Sequence, residues 1–222
     1  MGRRREFLEE DVVATAMELF WRQGYEHTSI DDVIAQAAIS KSSFYSAFAG
    51  KHDLLTRALG RYGETWMAGL LEPLSRPGAA RAEIEEAFAA LGARFTGPLA
   101  GQGCLMTNCA IDVAPHDQAL QRHTRILRGA FEVAMMSAVA RGQAAGTITT
   151  GESAAALARV LVNALNGMSV FAKLAPDPAE MRDIGRLSLR ILDDPADHPA
   201  QKRAANKEGR RDETYIDGAD VA

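Results

Sequence analysis

A chain of 222 residues with 47% hydrophobic content can bury one large core or two small ones. Its formal charge of −4 excludes a generally nucleic-acid-coating surface while leaving room for one local basic site, and two cysteines are too few for a disulfide framework, which favours a reducing compartment. No signal core follows MGRRR and no run of about 18 apolar residues is read anywhere, so the expectation is a cytoplasmic protein with no membrane partner.

Leu and Ala dominate and runs of β-branched residues are nearly absent, which points to an all-α protein. A first helix is predicted from about Glu9 to Gln23, with Val12, Ala16, Leu19 and Phe20 on one face and Gly24 as its stop. A second starts at Thr28, whose hydroxyl can cap it, and ends near Ala37. The turn Ala38-Ile39-Ser40 leads into a third, with Ser40 as its natural N-cap. Three short helices with a turn of three or four residues between the last two describe a helix-turn-helix unit.

A longer helix is predicted from Lys51 towards Leu71, striped by Leu55, Leu59, Tyr62, Trp66 and Leu70 and ended by Pro73 and the Arg76-Pro77-Gly78 turn. Further helices are expected over about 80–95, from Cys104 to before Pro115, over 117–142, over about 152–174 and over about 179–192. The total is about nine. The organisation expected is a helix-turn-helix domain over 1–50, a ligand-binding and dimerisation domain over 51–194, and a disordered charged tail over 195–222.

The segment ISKSSFYSAFAGKHDLL carries the chemistry. No carboxylate occurs between Asp32 and Asp53. The second helix of a helix-turn-helix lies in the major groove, where acids would repel the backbone and short hydroxyls permit close approach. Candidate DNA contacts are Thr28, Ser40, Lys41, Ser42, Ser43, Tyr45, Ser46 and Lys51, the last combining an ammonium with free helix amides that suit a phosphate. Phe44 and Phe48, spaced i, i+4, point inward instead. The Arg3-Arg4-Arg5 arm either tracks a groove or serves only as a solubilising end.

These residues carry a resemblance. Leu19-Phe20, Gly24-Tyr25, Thr28-Ser29-Ile30, Ile39-Ser40-Lys41, Phe44-Tyr45, Phe48, Lys51 and Leu54-Leu55 are similar, in order and spacing, to the DNA-binding domain of the TetR family of transcriptional regulators. The resemblance covers residues 9–60 and implies an all-α homodimer that reads a palindromic operator in double-stranded DNA, with a small-molecule effector bound by the rest of the chain. One residue departs: Ala38 stands where the family usually has Gly, and a positive φ there would cost about 1 kcal/mol.

The last two predicted helices are the expected dimer seam, through Leu157, Val160, Leu161, Ala164, Leu165, Met168, Ile184, Leu187 and Ile191, although the same residues would serve as intramolecular core. Trp66, Met67, Phe88, Leu91, Phe95, Met106, Phe131, Met135 and Phe171 are candidate walls for a mostly apolar effector, with His123 as a polar residue facing the pocket or the surface. The stretch GQGCLMTNCAIDVAPHD resembles a NemR-like subgroup of the family. Cys104 at a helix N-terminus would have its thiolate favoured there, which supports sensing of electrophiles or oxidants, against the alternative of a buried inert thiol. A Cys104–Cys109 disulfide is disfavoured, because five helical residues rotate the sulfurs about 140° apart. A metal site from Cys104, Cys109, His116 and His123 matches no short ligand spacing, and no cofactor loop appears. The competing readings are an enzyme with Cys104 as nucleophile and His116 or His123 as base, and a protein-binding adaptor.

Overall fold

The computed structural model describes residues 2–78, 80–97 and 99–194, with side chains from Glu9 onward, and those residues are helical with no strand. The expected tail over 195–222 and the side chains of Arg3, Arg4 and Arg5 lie outside the described residues. A long helix and two short ones come first: α1 (Gly2–Gln23), α2 (Ile30–Gln36) and α3 (Lys41–Ala47). Then follow α4 (Lys51–Tyr62), a π turn (Gly63–Met67), α5 (Ala68–Ser75), α6 (Arg81–Phe95), α7 (Leu105–Asp112), α8 (Gln118–Ala144), α9 (Ala154–Phe171) and α10 (Pro178–Ser188).

The N-terminal unit closes around Phe20, Phe44, Leu54 and Leu55, all essentially without solvent contact. Arg57 holds it together from the rim. Its guanidinium reaches Asp53, Glu9 and the Ala47 carbonyl and lies 4.9 Å from the Phe48 ring centroid. One residue corrects the sequence reading. The N-cap of α2 is Ser29, whose hydroxyl accepts the Asp32 amide while Asp32 accepts the Ser29 amide in return. Thr28 is fully buried and its hydroxyl donates to the Gly24 carbonyl, so its side chain is withheld from any duplex.

The long helix ends at the expected Arg76-Pro77-Gly78 turn, not at Pro73. Pro73 sits in the last turn of α5, and α4 runs into α5 through the π turn without a break. Proline in that turn loses only one amide donor, and the chain leaves the helix at Arg76. Gly63 opens the π turn against α8, where a Cβ would stand 2.8 Å from Leu127 Cδ2. The extra residue in that turn brings Tyr62, Trp66, Met67 and Leu70 to one face.

α9 and the 3-10 turn that follows it form a stretch of 21 residues, Ala154–Leu174, long and apolar enough by length and composition to cross a membrane. Here Leu157, Ala158, Leu161, Val162, Leu165 and Met168 are spent on the core against α8, α6 and α10. Four of the nine residues expected at a dimer seam, Leu157, Leu161, Leu165 and Met168, are thereby used within one chain. What α9 presents outward is Val160, Asn163, Gly167 and Val170, continued by Leu174, with Leu187 beside them on α10. Ala164, Ile184 and Ile191 are half-buried.

Candidate nucleic-acid interface and internal cavity

The turn between α2 and α3 sets the presentation of α3. The Ala38 amide bonds to Ala35 and the Ile39 amide to Ile34, the pattern of a Schellman cap, with Ala38 at φ 53 in the left-handed region. Ile34 and Ile39 pack together with the core behind it. The strain anticipated for Ala38 is therefore present.

On α3, Phe44 and Phe48 are buried at 0% and 3% exposure, and Lys41, Ser42, Ser43, Tyr45 and Ser46 all face solvent. Tyr45 is half-exposed and stands edge-on to Phe44, which fixes its ring while leaving its hydroxyl outward. Ser40 is occupied as the N-cap, accepting the Ser43 amide and sharing hydrogen bonds with the Ser42 and Ser43 hydroxyls. Ser46 donates back to the Ser43 carbonyl. Lys51 lies 4.1 Å from the Tyr25 ring centroid, a cation–π contact that anchors it at the start of α4. The nearby Ala49 amide is already taken by Asp53.

The face is less free of acid than its sequence suggests. Lys41 Nζ lies 3.1 Å from Asp31 Oδ1, ten residues earlier on α2. That hydrogen bond, with the charge behind it, raises the Lys41 pKa above the ordinary lysine value.

A second feature lies beneath the N-terminal unit. A cavity of about 50 Å³ is lined by Tyr62, Trp66, Met67, Leu70, Leu91, Arg94, Phe95, Leu99, Cys104, Met106, Thr107, Phe131, Leu165, Asn166 and Ser169. It gathers Trp66, Met67, Leu91, Phe95, Cys104, Met106 and Phe131 from the expected walls. Phe88, Met135, Phe171 and His123 do not line it. Phe88 borders a groove of about 730 Å³ between α6 and α10, Met135 is fully buried core, and Phe171 is half-buried. His123 is half-buried on α8, with a buried Nε2 that has no hydrogen-bond partner among the described residues. Tyr62, Arg94 and Asn166 escaped the sequence reading. Arg94 follows Leu91 by three residues on the apolar side of α6, and a cation at that spacing was the available signal.

Cys104 is the N-cap of α7 and half-buried, and the Tyr62 hydroxyl donates to its Sγ at 3.1 Å. Burial first, and Cys104 second, push the Tyr62 pKa well above the ordinary tyrosine value. Cys109 points elsewhere and is buried; burial, then Asp112 and Asp117, push its thiol up to about 11. Neither His116 nor His123 lines the cavity of Cys104. Among the described residues no cluster of His, Cys, Asp and Glu could hold a metal ion.

The cavity and the N-terminal unit share aromatic rings. Trp21 of α1 stands edge-on to both Tyr62 and Trp66, with centroids 5.0 and 4.8 Å away, and its Nε1 donates to the Gly103 carbonyl at 2.9 Å. Gly103 has φ +66, and a Cβ there would meet the Ser169 carbonyl oxygen at 2.5 Å.

Comparisons with known proteins agree with this arrangement. Residues 12–58 match the model for bacterial regulatory proteins of the tetR family, and residues 80–187 match the tetracyclin repressor-like C-terminal domain. The uncharacterized HTH-type transcriptional regulator YezE of Bacillus subtilis is 31% identical over 197 residues, covering 87% of this chain and all of that protein. The HTH-type transcriptional repressor ComR of Escherichia coli is 25% identical, covering 86% of this chain and 91% of ComR. Among solved structures, a cysteine mutant of the TetR family regulator CifR complexed with 26 bp operator DNA superposes with a TM-score of 0.74 at 26% identity, covering 83% of this chain and 96% of that one. Reduced Escherichia coli NemR superposes with a TM-score of 0.76 over 85% of this chain and 98% of that one; at 20% identity this likeness shows the fold alone.

Proposed function

The chain belongs to the tetR family of bacterial regulatory proteins, and on that footing we propose that it is a cytoplasmic, homodimeric repressor of transcription. Its operator is released when a small molecule fills the cavity beside Cys104 or when Cys104 is modified. The observation that carries the DNA reading is the outward face of α3, where Lys41, Ser42, Ser43, Tyr45 and Ser46 project from a helix pinned by Phe44 and Phe48. Lys41 and Lys51 supply charge for phosphates, and the hydroxyls reach base edges in the major groove.

One such helix reads too few bases, so two must act on a dyad about 34 Å apart. Val160, Val170, Leu174 and Leu187 are exposed apolar residues on the last helices, and Gly167 among them permits close approach. They are the seam we assign to the dimer. The domain boundary we assign is at about Lys51, where α4 leaves the reading head and becomes the wall of the cavity.

The coupling needs no long path. A ligand against Trp66, or a bulkier group on Cys104, displaces rings on which Trp21 of α1 is packed, and α1 carries the reading head. To lower operator occupancy a hundredfold, the effector must favour the released arrangement by about 2.7 kcal/mol.

The test is binding of the purified protein to labelled duplex from its own upstream region, against random duplex, over a range of salt. A preference for the upstream duplex, weakened by salt and by Lys41→Ala, is expected. No preference at any salt sinks the reading.

A further inference from the structure

The cavity also indicates what kind of effector it takes, an inference that rests on the regulator reading above. We propose that the effector is a small carboxylate-bearing molecule whose anionic head pairs with Arg94 and whose apolar body lies against Trp66, Leu91, Phe95 and Phe131.

Arg94 is the reason. Arg57, Arg76, Arg81, Arg128, Arg159 and Arg186 each have a carboxylate within 4 Å, several other arginines have none among the described residues, and of the latter Arg94 is the one that lines this cavity. Arg94 has none among the described residues, although it is half-buried and lines the cavity. Its guanidinium lies 5.5 Å from the Trp66 ring centroid, a contact that offsets only part of the loss of hydration. No Asp or Glu lines the cavity, so nothing in its wall competes with an incoming anion.

The remaining polar groups suit the same head. The Tyr62 hydroxyl is a donor whose present acceptor is the Cys104 sulfur, a weak one that a carboxylate oxygen outcompetes. The flat fork of a guanidinium matches a carboxylate in two parallel hydrogen bonds, a geometry that an amide or alcohol cannot reproduce. The rest of the wall is aromatic and aliphatic, which favours a body without further charge.

Size narrows the class. A space of about 50 Å³ corresponds to one or two water molecules at about 30 Å³ each. The molecule is therefore a short acid, and a ring acid fits only if the wall gives. Met106, Thr107 and Asn166 also line a groove of about 420 Å³ on the far side of α7, so the wall between the two is one side chain thick. Movement of Met106 or of the Thr107–Asn166 pair, whose polar atoms are 3.5 Å apart, gives entry and extra room.

The experiment is isothermal titration of the full-length protein with sodium propanoate, butanoate and benzoate at fixed ionic strength, each beside its neutral amide, with duplex binding measured in parallel. At least one acid is expected to bind once per chain, tenfold or more tightly than its amide. Arg94→Gln should lose tenfold or more for the acid and leave the amide unaffected, while Arg94→Lys recovers part. Three results overturn the proposal: no acid binds, amides bind as tightly as acids, or Arg94→Gln binds the acid like the wild type. The acid-to-amide comparison on the wild type decides even where Arg94→Gln fails to fold. Duplex recognition without acid binding removes this inference alone. Acid binding without duplex recognition removes the regulator reading and leaves the cavity assignment standing.

Discussion

Trp21 Nε1 and the Gly103 carbonyl oxygen are 2.9 Å apart, a buried hydrogen bond that ties α1 of the reading head to the residue before Cys104. The Trp21 ring is wedged edge-on between Tyr62 and Trp66 at the same point. A change at the cavity is thus one contact away from α1. Trp21→Phe keeps a ring and removes the donor, leaving the Gly103 carbonyl without its partner, a loss of about 1–3 kcal/mol. The expected result is a folded, DNA-binding protein of lower stability whose operator affinity no longer responds to the effector or to Cys104 modification. Full retention of the response would mean that α1 does not carry the signal.

At the DNA face, Asp31 and Lys41 form an exposed pair, so the lysine meets the duplex with its charge partly answered. Binding to phosphate requires Lys41 to exchange Asp31 for a stronger anion. Asp31→Asn frees the ammonium and removes a like charge from the approach, and should tighten operator binding by about threefold at low salt. Lys41→Ala should weaken it on all sequences alike and lower the salt slope by about one. Anisotropy titrations at several salt concentrations separate the two. An unchanged slope in Lys41→Ala would place that lysine away from the phosphates.

The two cysteines should differ sharply in reactivity. Cys104 is half-buried beside a cavity, while Cys109 is buried and its pKa stands at about 11, so at neutral pH it is almost wholly thiol. Brief treatment of the native protein with N-ethylmaleimide at pH 7.5 should label Cys104 at least about tenfold faster than Cys109. Peptide mass spectrometry reads the ratio directly, and equal labelling would contradict the burial of Cys109. In denaturant the difference should vanish.

Ala38 marks how far the sequence could be read. Apolar periodicity located the helices and placed Phe44 and Phe48 inward, and the absence of the usual glycine flagged the one strained residue in the turn, found at φ 53. Ala38→Gly should therefore stabilise the protein by about 0.5–1 kcal/mol in urea unfolding, less what glycine adds to unfolded-chain freedom. A loss of stability would mean that the turn carries no strain.

Where reading failed, the cause was equally physical. Thr28 and Ser29 are both capping residues, and only packing decides that Thr28 turns inward. On α9, apolar residues surround the helix, so spacing could not separate Leu161 of the core from Val160 of the surface. Arg94 went unnoticed because a lone cation near an apolar stripe looks like an ordinary surface residue until its missing partner is seen.

The contact between His52 and Asp117 supports the last prediction. His52, second residue of α4, places Nε2 2.7 Å from Asp117 Oδ2, and Asp117 is the N-cap of α8. The carboxylate also accepts the Ala119 and Leu120 amides. The Leu120 amide foremost, with His52 adding to it, holds the Asp117 carboxyl below its ordinary pKa. A depressed carboxyl pKa means that the folded state binds this proton less readily than the unfolded chain does. Its contribution to stability is therefore complete above about pH 4 and is lost as pH falls through that value towards the depressed one. Asn caps a helix nearly as well as Asp but carries no charge, so Asp117→Asn isolates the ionic part. Melting temperatures from pH 7 to pH 3 should show the wild type above Asp117→Asn at neutral pH and the two converging below pH 4. A gap that stays constant across the range, or no gap at all, would show that ionisation of Asp117 does not stabilise the fold. Because His52 directly follows Lys51 at the start of α4, the same pair joins the reading head to the helix that carries Phe131 into the cavity. Asp117→Asn should accordingly alter the effector concentration needed to release the operator, with ligand affinity at the cavity unchanged.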